Sequence, residues 1–166
     1  MTADISGSRL AQDFVDFIDV LTAHRVQFVL VGGYALAVHG HVRATADIDF
    51  LYRCTEENVA CLCVALEVFG APPSVIDAQA LLSPNTVTYF GVPPLRIDLL
   101  ASISGVSNDE VFASALTTTV GSQIILVIGR DALIKNKKAS GREKDRRDVR
   151  ALEKGLRARR QQGADI

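Results

Sequence analysis

Residues 29–51 constrain the fold of this chain more than any other stretch. An apolar run, Val29-Leu30-Val31, closes on Gly32-Gly33. A short segment of helical character follows, and then a strand in which Asp47 and Asp49 flank Ile48 and precede Phe50 and Leu51. Side chains at i and i+2 of a strand leave the same face, so the two aspartates point together out of an otherwise apolar element. Neighbouring carboxylates repel unless positive charge lies between them, and a hard divalent cation with oxygen ligands meets that need. The glycines would let the backbone approach phosphates, with the helix behind them directing N–H groups at the anion. The stretch reads as a metal-phosphate site; a plainer role for Asp47, capping a turn at the start of the strand, stays open.

Leu10, Phe14, Phe17, Ile18 and Leu21 recur at helical spacing, which predicts an amphipathic helix over residues 8–24. Residues 27–32 form a short strand, 34–39 a helix and 48–52 a strand. Thr55 is an N-cap for a helix from Glu56 to about Phe69, ended by Gly70, and residues 76–82 give another short helix. Two β-rich runs, 86–90 and 95–101, are joined by Gly91-Val92-Pro93-Pro94 as a hairpin, and 117–120 with 123–128 make a second around Gly121-Ser122. Helices over 130–138 and 144–160, separated by Gly141, close the chain. Strands joined by helices and strands joined by hairpins both occur. The fold class is therefore α/β (α+β), with a mixed sheet flanked by helices.

With 166 residues the simplest organisation is one domain over 1–166, its core near 26–130 and basic helices near 130–160. No window approaches the roughly 20 apolar residues of a membrane span, and Met1–Ser8 lacks the layout of a signal peptide. The expected location is the cytoplasm, with no membrane partner. Three cysteines fit free thiols better than disulfides; Cys61 and Cys63 fall in a helical segment and read as packing residues. The net charge of −1 hides an asymmetry: residues 1–134 sum to −8 and residues 135–166 to +7. A basic tail on an acidic body suits polyanions such as nucleotide phosphates or RNA, or is a solvated helix with pairs such as Glu143–Arg147.

Asp98, in Leu95-Arg96-Ile97-Asp98-Leu99-Leu100, is the second pointer. An unpaired charge buried there would cost several kcal/mol. Arg96 on the same strand face could pair with it, and a metal could offset it equally well. Three aspartates from two strands could hold one or two Mg²⁺ ions (or Mn²⁺) that also take oxygens from a nucleoside triphosphate.

Gly32-Gly33, a gap of 13 residues, Asp47-Ile48-Asp49 and the later strand with Asp98 resemble the nucleotidyltransferase superfamily of DNA polymerase β type. The likeness is greatest to small bacterial members, the AbiEii-type toxin nucleotidyltransferases and the minimal nucleotidyltransferases. Arg43-x-Thr45-x-Asp47-x-Asp49 follows the R-x-T-x-D-x-D form of that branch. Leu133-Ile134-x-x-Lys137-x-Ala139-x-x-Arg142-x-Lys144-Asp145-x-x-Asp148 is similar to its ending. The resemblance spans roughly residues 26–152.

It implies the nucleotidyltransferase fold and Mg²⁺-dependent transfer of a nucleoside monophosphate from an NTP such as ATP to an acceptor hydroxyl. In that reading Asp47, Asp49 and Asp98 are the metal ligands, with Asp98 doubling as base. Gly32 and Gly33 border the triphosphate, and Arg43, Thr45, Lys137 and Arg142 complete the nucleotide site. Lys144, Asp145 and Asp148 read as structural helix charges, His39 and His41 as loop or acceptor-pocket residues, and Tyr34 as a packing residue. The acceptor is the 3′ end of a tRNA or a small hydroxylated molecule. A homodimer or a partner protein could complete the pocket of so short a chain. The rivals are a catalytically inactive nucleotide-binding or toxin–antitoxin regulatory protein of the same fold, and a glycosyltransferase using Asp47-x-Asp49.

Overall fold

The computed structural model describes residues 3–4 and 10–164. Its centre is a seven-stranded mixed sheet. In chain order the strands are β1 (Ala3–Asp4), β2 (Phe28–Val31), β3 (Asp47–Tyr52), β4 (Val87–Phe90), β5 (Arg96–Leu100), β6 (Leu116–Val120) and β7 (Gln123–Val127). They lie side by side in the order β1-β6-β7-β2-β3-β5-β4. β2 runs antiparallel to β3 and parallel to β7, β3 runs parallel to β5, and the β4–β5 and β6–β7 pairs are the two hairpins. The mixed sheet anticipated from helix-joined and hairpin-joined strands is present.

The helices are α1 (Gln12–Ala23), α2 (Gly32–Val38), α3 (Glu56–Phe69), α4 (Ala78–Leu81), α5 (Asn108–Ser114), α6 (Arg130–Ser140) and α7 (Glu143–Ala164). Helix α1 begins four residues later than its apolar spacing suggests; residues 8 and 9 of that span lie outside the described residues. α2 starts at Gly32 itself, two residues before the expected Tyr34. α3 has the expected ends: the Asn58 N–H donates to Thr55 Oγ1, and Gly70 closes the helix in the left-handed region at φ 84°. Helix α5 has no counterpart among the elements read from the sequence. Its signal was Ser107-x-x-Glu110, whose Ser107 Oγ accepts the Glu110 N–H.

Strand alternation divides the sheet into two functions. Ile48 and Phe50 of β3, Ile97 and Leu99 of β5 and Phe90 of β4 lie on one face and are buried. Phe17 of α1 meets Phe50, Phe69 and Phe90 there at ring-centroid distances of 5.7, 4.9 and 5.7 Å. α1 presents Phe14, Phe17, Ile18 and Leu21 to this core. The opposite face carries Asp47 and Asp49 of β3 and Arg96 and Asp98 of β5. No helix among the described residues is long and apolar enough to cross a membrane.

Asn58 ties the two halves of this framework. Buried at the start of α3, it accepts the Gln27 N–H at 2.7 Å and donates to the carbonyls of Gln27 (3.0 Å) and Arg53 (2.8 Å). These are the chain ends flanking β2 and β3. Asn58→Ala should lower unfolding stability by about 2 kcal/mol, since backbone polar groups lose their partners in a buried setting; urea denaturation of the two proteins measures it.

Candidate functional site

The parallel register of β3 and β5 sets Asp49 directly opposite Asp98, and Asp47 opposite Arg96. One carboxylate oxygen from each of Asp47, Asp49 and Asp98 lies within 4.8 Å of the others. The three aspartates singled out in the sequence thus form one cluster, at the floor of a cavity of about 400 Å³.

The glycines make room for that cluster. Gly32 sits at φ +69°, and a Cβ built on it would lie 2.0 Å from Asp49 Oδ2. A Cβ on Gly33 would lie 2.8 Å from Thr45 Oγ1. Both glycines line the cavity, yet the space they free is filled by the site's own side chains. Thr45 in turn positions Asp47: its hydroxyl lies 3.1 Å from Asp47 Oδ1 and 3.2 Å from the Asp47 carbonyl, sharing one proton between them.

Arg96 holds the cluster from the other side. Its Nε donates to Asp98 Oδ1 at 2.7 Å, and its Nη2 donates to Asp98 Oδ2 at 2.9 Å and Asp47 Oδ2 at 2.7 Å. The Arg96–Asp98 pair left open in the sequence is therefore formed and extends to Asp47. Asp49 makes no hydrogen bond to this guanidinium among the described residues and feels it only through space. Burial, followed by repulsion from Asp47 and Asp98, pushes its carboxyl up to about 7, against the pull of Lys137 and Lys144. Oxygen-only donors carrying uncompensated negative charge are the set a hard divalent cation requires, so the three aspartates fit such an ion.

Helices α6 and α7 supply the opposite wall. Lys137 is buried, and its Nζ lies 3.0 Å from Asp145 Oδ1 and 3.2 Å from Asp148 Oδ2. Arg43 forks onto Asp148 at 3.0 and 3.1 Å. Arg142 Nε and Ser140 Oγ each donate to Asp145 Oδ2 at 2.8 Å. Burial alone would raise the Asp145 carboxyl, but the bonds from Arg142, Lys137 and Ser140 outweigh it and hold it down to about 2. The three cations read from the sequence as nucleotide contacts all line the cavity, each with an ion-pair partner in the fold. Lys144 also lines it, exposed and without an ion pair among the described residues.

Other positions fall elsewhere. His39 is buried with Nε2 2.7 Å from the Ile128 carbonyl oxygen, and His41 lies 3.7 Å from Asp148; neither lines the cavity. Tyr34 packs edge-on against Phe14 at 5.8 Å. Ser102, Ile103, Ser104 and Asn136 line the cavity without having carried any motif.

No protein-family model matches the chain, and no curated protein matches it in sequence. Among solved structures it is similar to the lincosamide antibiotic adenylyltransferase LnuA, solved with lincomycin bound. The TM-score is 0.53 at 14% identity, covering 87% of this chain and 96% of that one. At that identity the likeness shows the fold: a nucleotidyltransferase fold. It does not support the AbiEii-type branch.

The strain in the cluster has a measurable signature. An acid whose folded value is raised destabilises the fold where it is ionised, so Asp49 costs most above pH 7. The cost fades as pH falls toward the ordinary value of 3.8. In chelator-treated protein, Asp49→Asn should raise stability by roughly 1–3 kcal/mol at pH 8, with the gain vanishing near pH 4. Thermal melts across that range check it. On the other wall, Lys137→Met leaves Asp145 and Asp148 buried with fewer partners and should cost about 3–5 kcal/mol, read by chemical denaturation.

Proposed function

We propose that this chain is a metal-dependent nucleotidyltransferase that moves a nucleoside monophosphate from an NTP, ATP among them, to an acceptor hydroxyl. The observation that carries the reading is the convergence of three carboxylates, one of them held far above its usual range, beneath a wall of cationic side chains. Asp47, Asp49 and Asp98 would hold Mg²⁺ or Mn²⁺, which when bound would screen the triphosphate and acidify the attacking hydroxyl.

The remaining work belongs to the chain's own side chains. Thr45 fixes the rotamer of Asp47, and Gly32 lets the Asp49 carboxylate reach the cluster. Lys144, which makes no ion pair among the described residues, is the ammonium that would meet a phosphate oxygen, while Lys137, Arg43 and Arg142 line the same wall in positions set by Asp145 and Asp148. Asp98 would complete the ligand set and, once released by Arg96, would take the proton of the acceptor hydroxyl as it attacks the α-phosphorus and pyrophosphate departs.

A small hydroxylated acceptor is favoured by the structural neighbour, solved with lincomycin bound, and by the cavity lining, where Val87, Leu100 and Ile103 mix with Ser102 and Ser104. RNA, such as a tRNA 3′ end, is the second acceptor class, favoured by the exposed Arg146, Arg150, Lys154 and Arg157 along α7. A regulatory nucleotide binder of the same fold is the other reading, favoured by Arg96 on the aspartates.

Incubation with α-labelled NTPs and Mg²⁺, offering total RNA or a panel of small hydroxylated compounds, separates these. Label should enter one acceptor fraction and fall at least about a hundredfold in Asp47→Ala, with circular dichroism unchanged. Transfer to neither fraction, with Mg²⁺–NTP still raising the wild-type melting temperature above that of the variant, would select the binder. No stabilisation by any NTP would remove both.

A further inference from the structure

The aspartate cluster contains a cation of the chain's own. Arg96 engages both oxygens of Asp98 and one of Asp47 through charge-assisted bonds of 2.7–2.9 Å. The Asp98 contact is the two-point fork in which guanidinium binds carboxylate most strongly. Every carboxylate oxygen it holds belongs to a residue of the proposed cation site. A guanidinium and a divalent ion are drawn to the same oxygens and repel one another at that separation.

Arg96 is also free to leave. Its side chain is one-third exposed. The guanidinium already lies over the Tyr89 ring, its carbon 5.5 Å from the ring centroid. Tyr89 itself stands on the edge strand β4 and is 62% exposed. An aromatic face at that distance attracts a guanidinium, so Arg96 has a favourable partner besides the aspartates.

We propose that Arg96 is a displaceable counter-ion of the aspartate cluster, so that binding of a divalent cation is an exchange. The guanidinium releases Asp47 and Asp98 as the ion enters, and keeps the Tyr89 face as its remaining partner. This rests on the reading of Asp47, Asp49 and Asp98 as cation ligands. Two consequences follow from the exchange. The protein binds the bare cation more weakly than its three carboxylates would alone. An anionic donor that offers the released guanidinium a new partner strengthens cation binding, and the cation strengthens donor binding by the same factor.

The test is a Mn²⁺ titration without nucleotide, followed by the paramagnetic resonance of the free ion, on wild type, Arg96→Gln and Arg96→Lys, with circular dichroism as the fold check. Arg96→Gln should bind Mn²⁺ about tenfold or more tightly than wild type. Arg96→Lys, which keeps the charge but loses the fork, should fall between them. A merely structural arginine cannot produce tighter binding on removal. Equal or weaker binding in Arg96→Gln, with wild type binding normally, overturns the exchange and makes Arg96 a fixed scaffold for the carboxylates. Should Arg96→Gln not fold, Arg96→Lys decides by the same sign. Absence of Mn²⁺ binding in all three proteins removes the cation-site reading, and the exchange with it.

Discussion

The parallel pairing of β3 with β5 is the constraint on which the rest of the site depends. Ile48 lies opposite Ile97 and Phe50 opposite Leu99 on the core face, which forces Asp49 opposite Asp98 on the other. A slip of one residue would turn Asp98 toward Phe17, Phe50 and Phe90 and lift Ile97 or Leu99 into the cavity. That slip would expose Ile97 or Leu99, at about 1.5–3 kcal/mol each, and bury an unpaired Asp98 against the aromatic core at several more. Core packing on one face thus holds together acids on the other that would separate if left to themselves.

The cavity resolves its charge in two ways. Around the aspartates, compensation is partial: Arg96 serves Asp47 and Asp98, while Asp49 stays high. Across the cavity it is complete, with Asp145 and Asp148 buried and saturated by Lys137, Arg43, Arg142 and Ser140. Buried ion pairs recover little net stability once desolvation is counted. What this network achieves is placement: Arg43 joins the segment leading into β3 to α7, and Lys137 joins α6 to α7.

Much of this was legible in the sequence because it is local. The alternation through Asp47-Ile48-Asp49-Phe50, the Thr55 and Gly70 caps and both hairpins are set by residues within a few positions of each other. Helix α5 was missed: Ser107-x-x-Glu110 is its local signal, but its seven residues carry too few apolar positions to show a period. Pairing across long separations was hidden. That Arg96 reaches Asp47 depends on the β3–β5 register, 49 residues apart. That Lys137 is bound to Asp145 and Asp148 depends on how α6 folds back along α7. The motif displayed all these charges without saying which would be consumed by the fold.

That distinction changes what an incoming anion would meet. Lys137, Arg43 and Arg142 each face a carboxylate within about 3 Å, so at the distance of a bound phosphate their fields largely cancel against those of Asp145 and Asp148. With one Arg96 shared between Asp47 and Asp98, the aspartates on the floor keep net negative charge and would oppose a triphosphate until more positive charge is added there. Lys144 is the one lining cation that neither wall neutralises among the described residues. Arg96 joins it only on leaving Asp47 and Asp98. A site built this way would hold an anionic donor weakly while its acidic cluster stays bare: attraction for phosphate would rise once a cation took over the aspartates, so each ligand would strengthen the binding of the other.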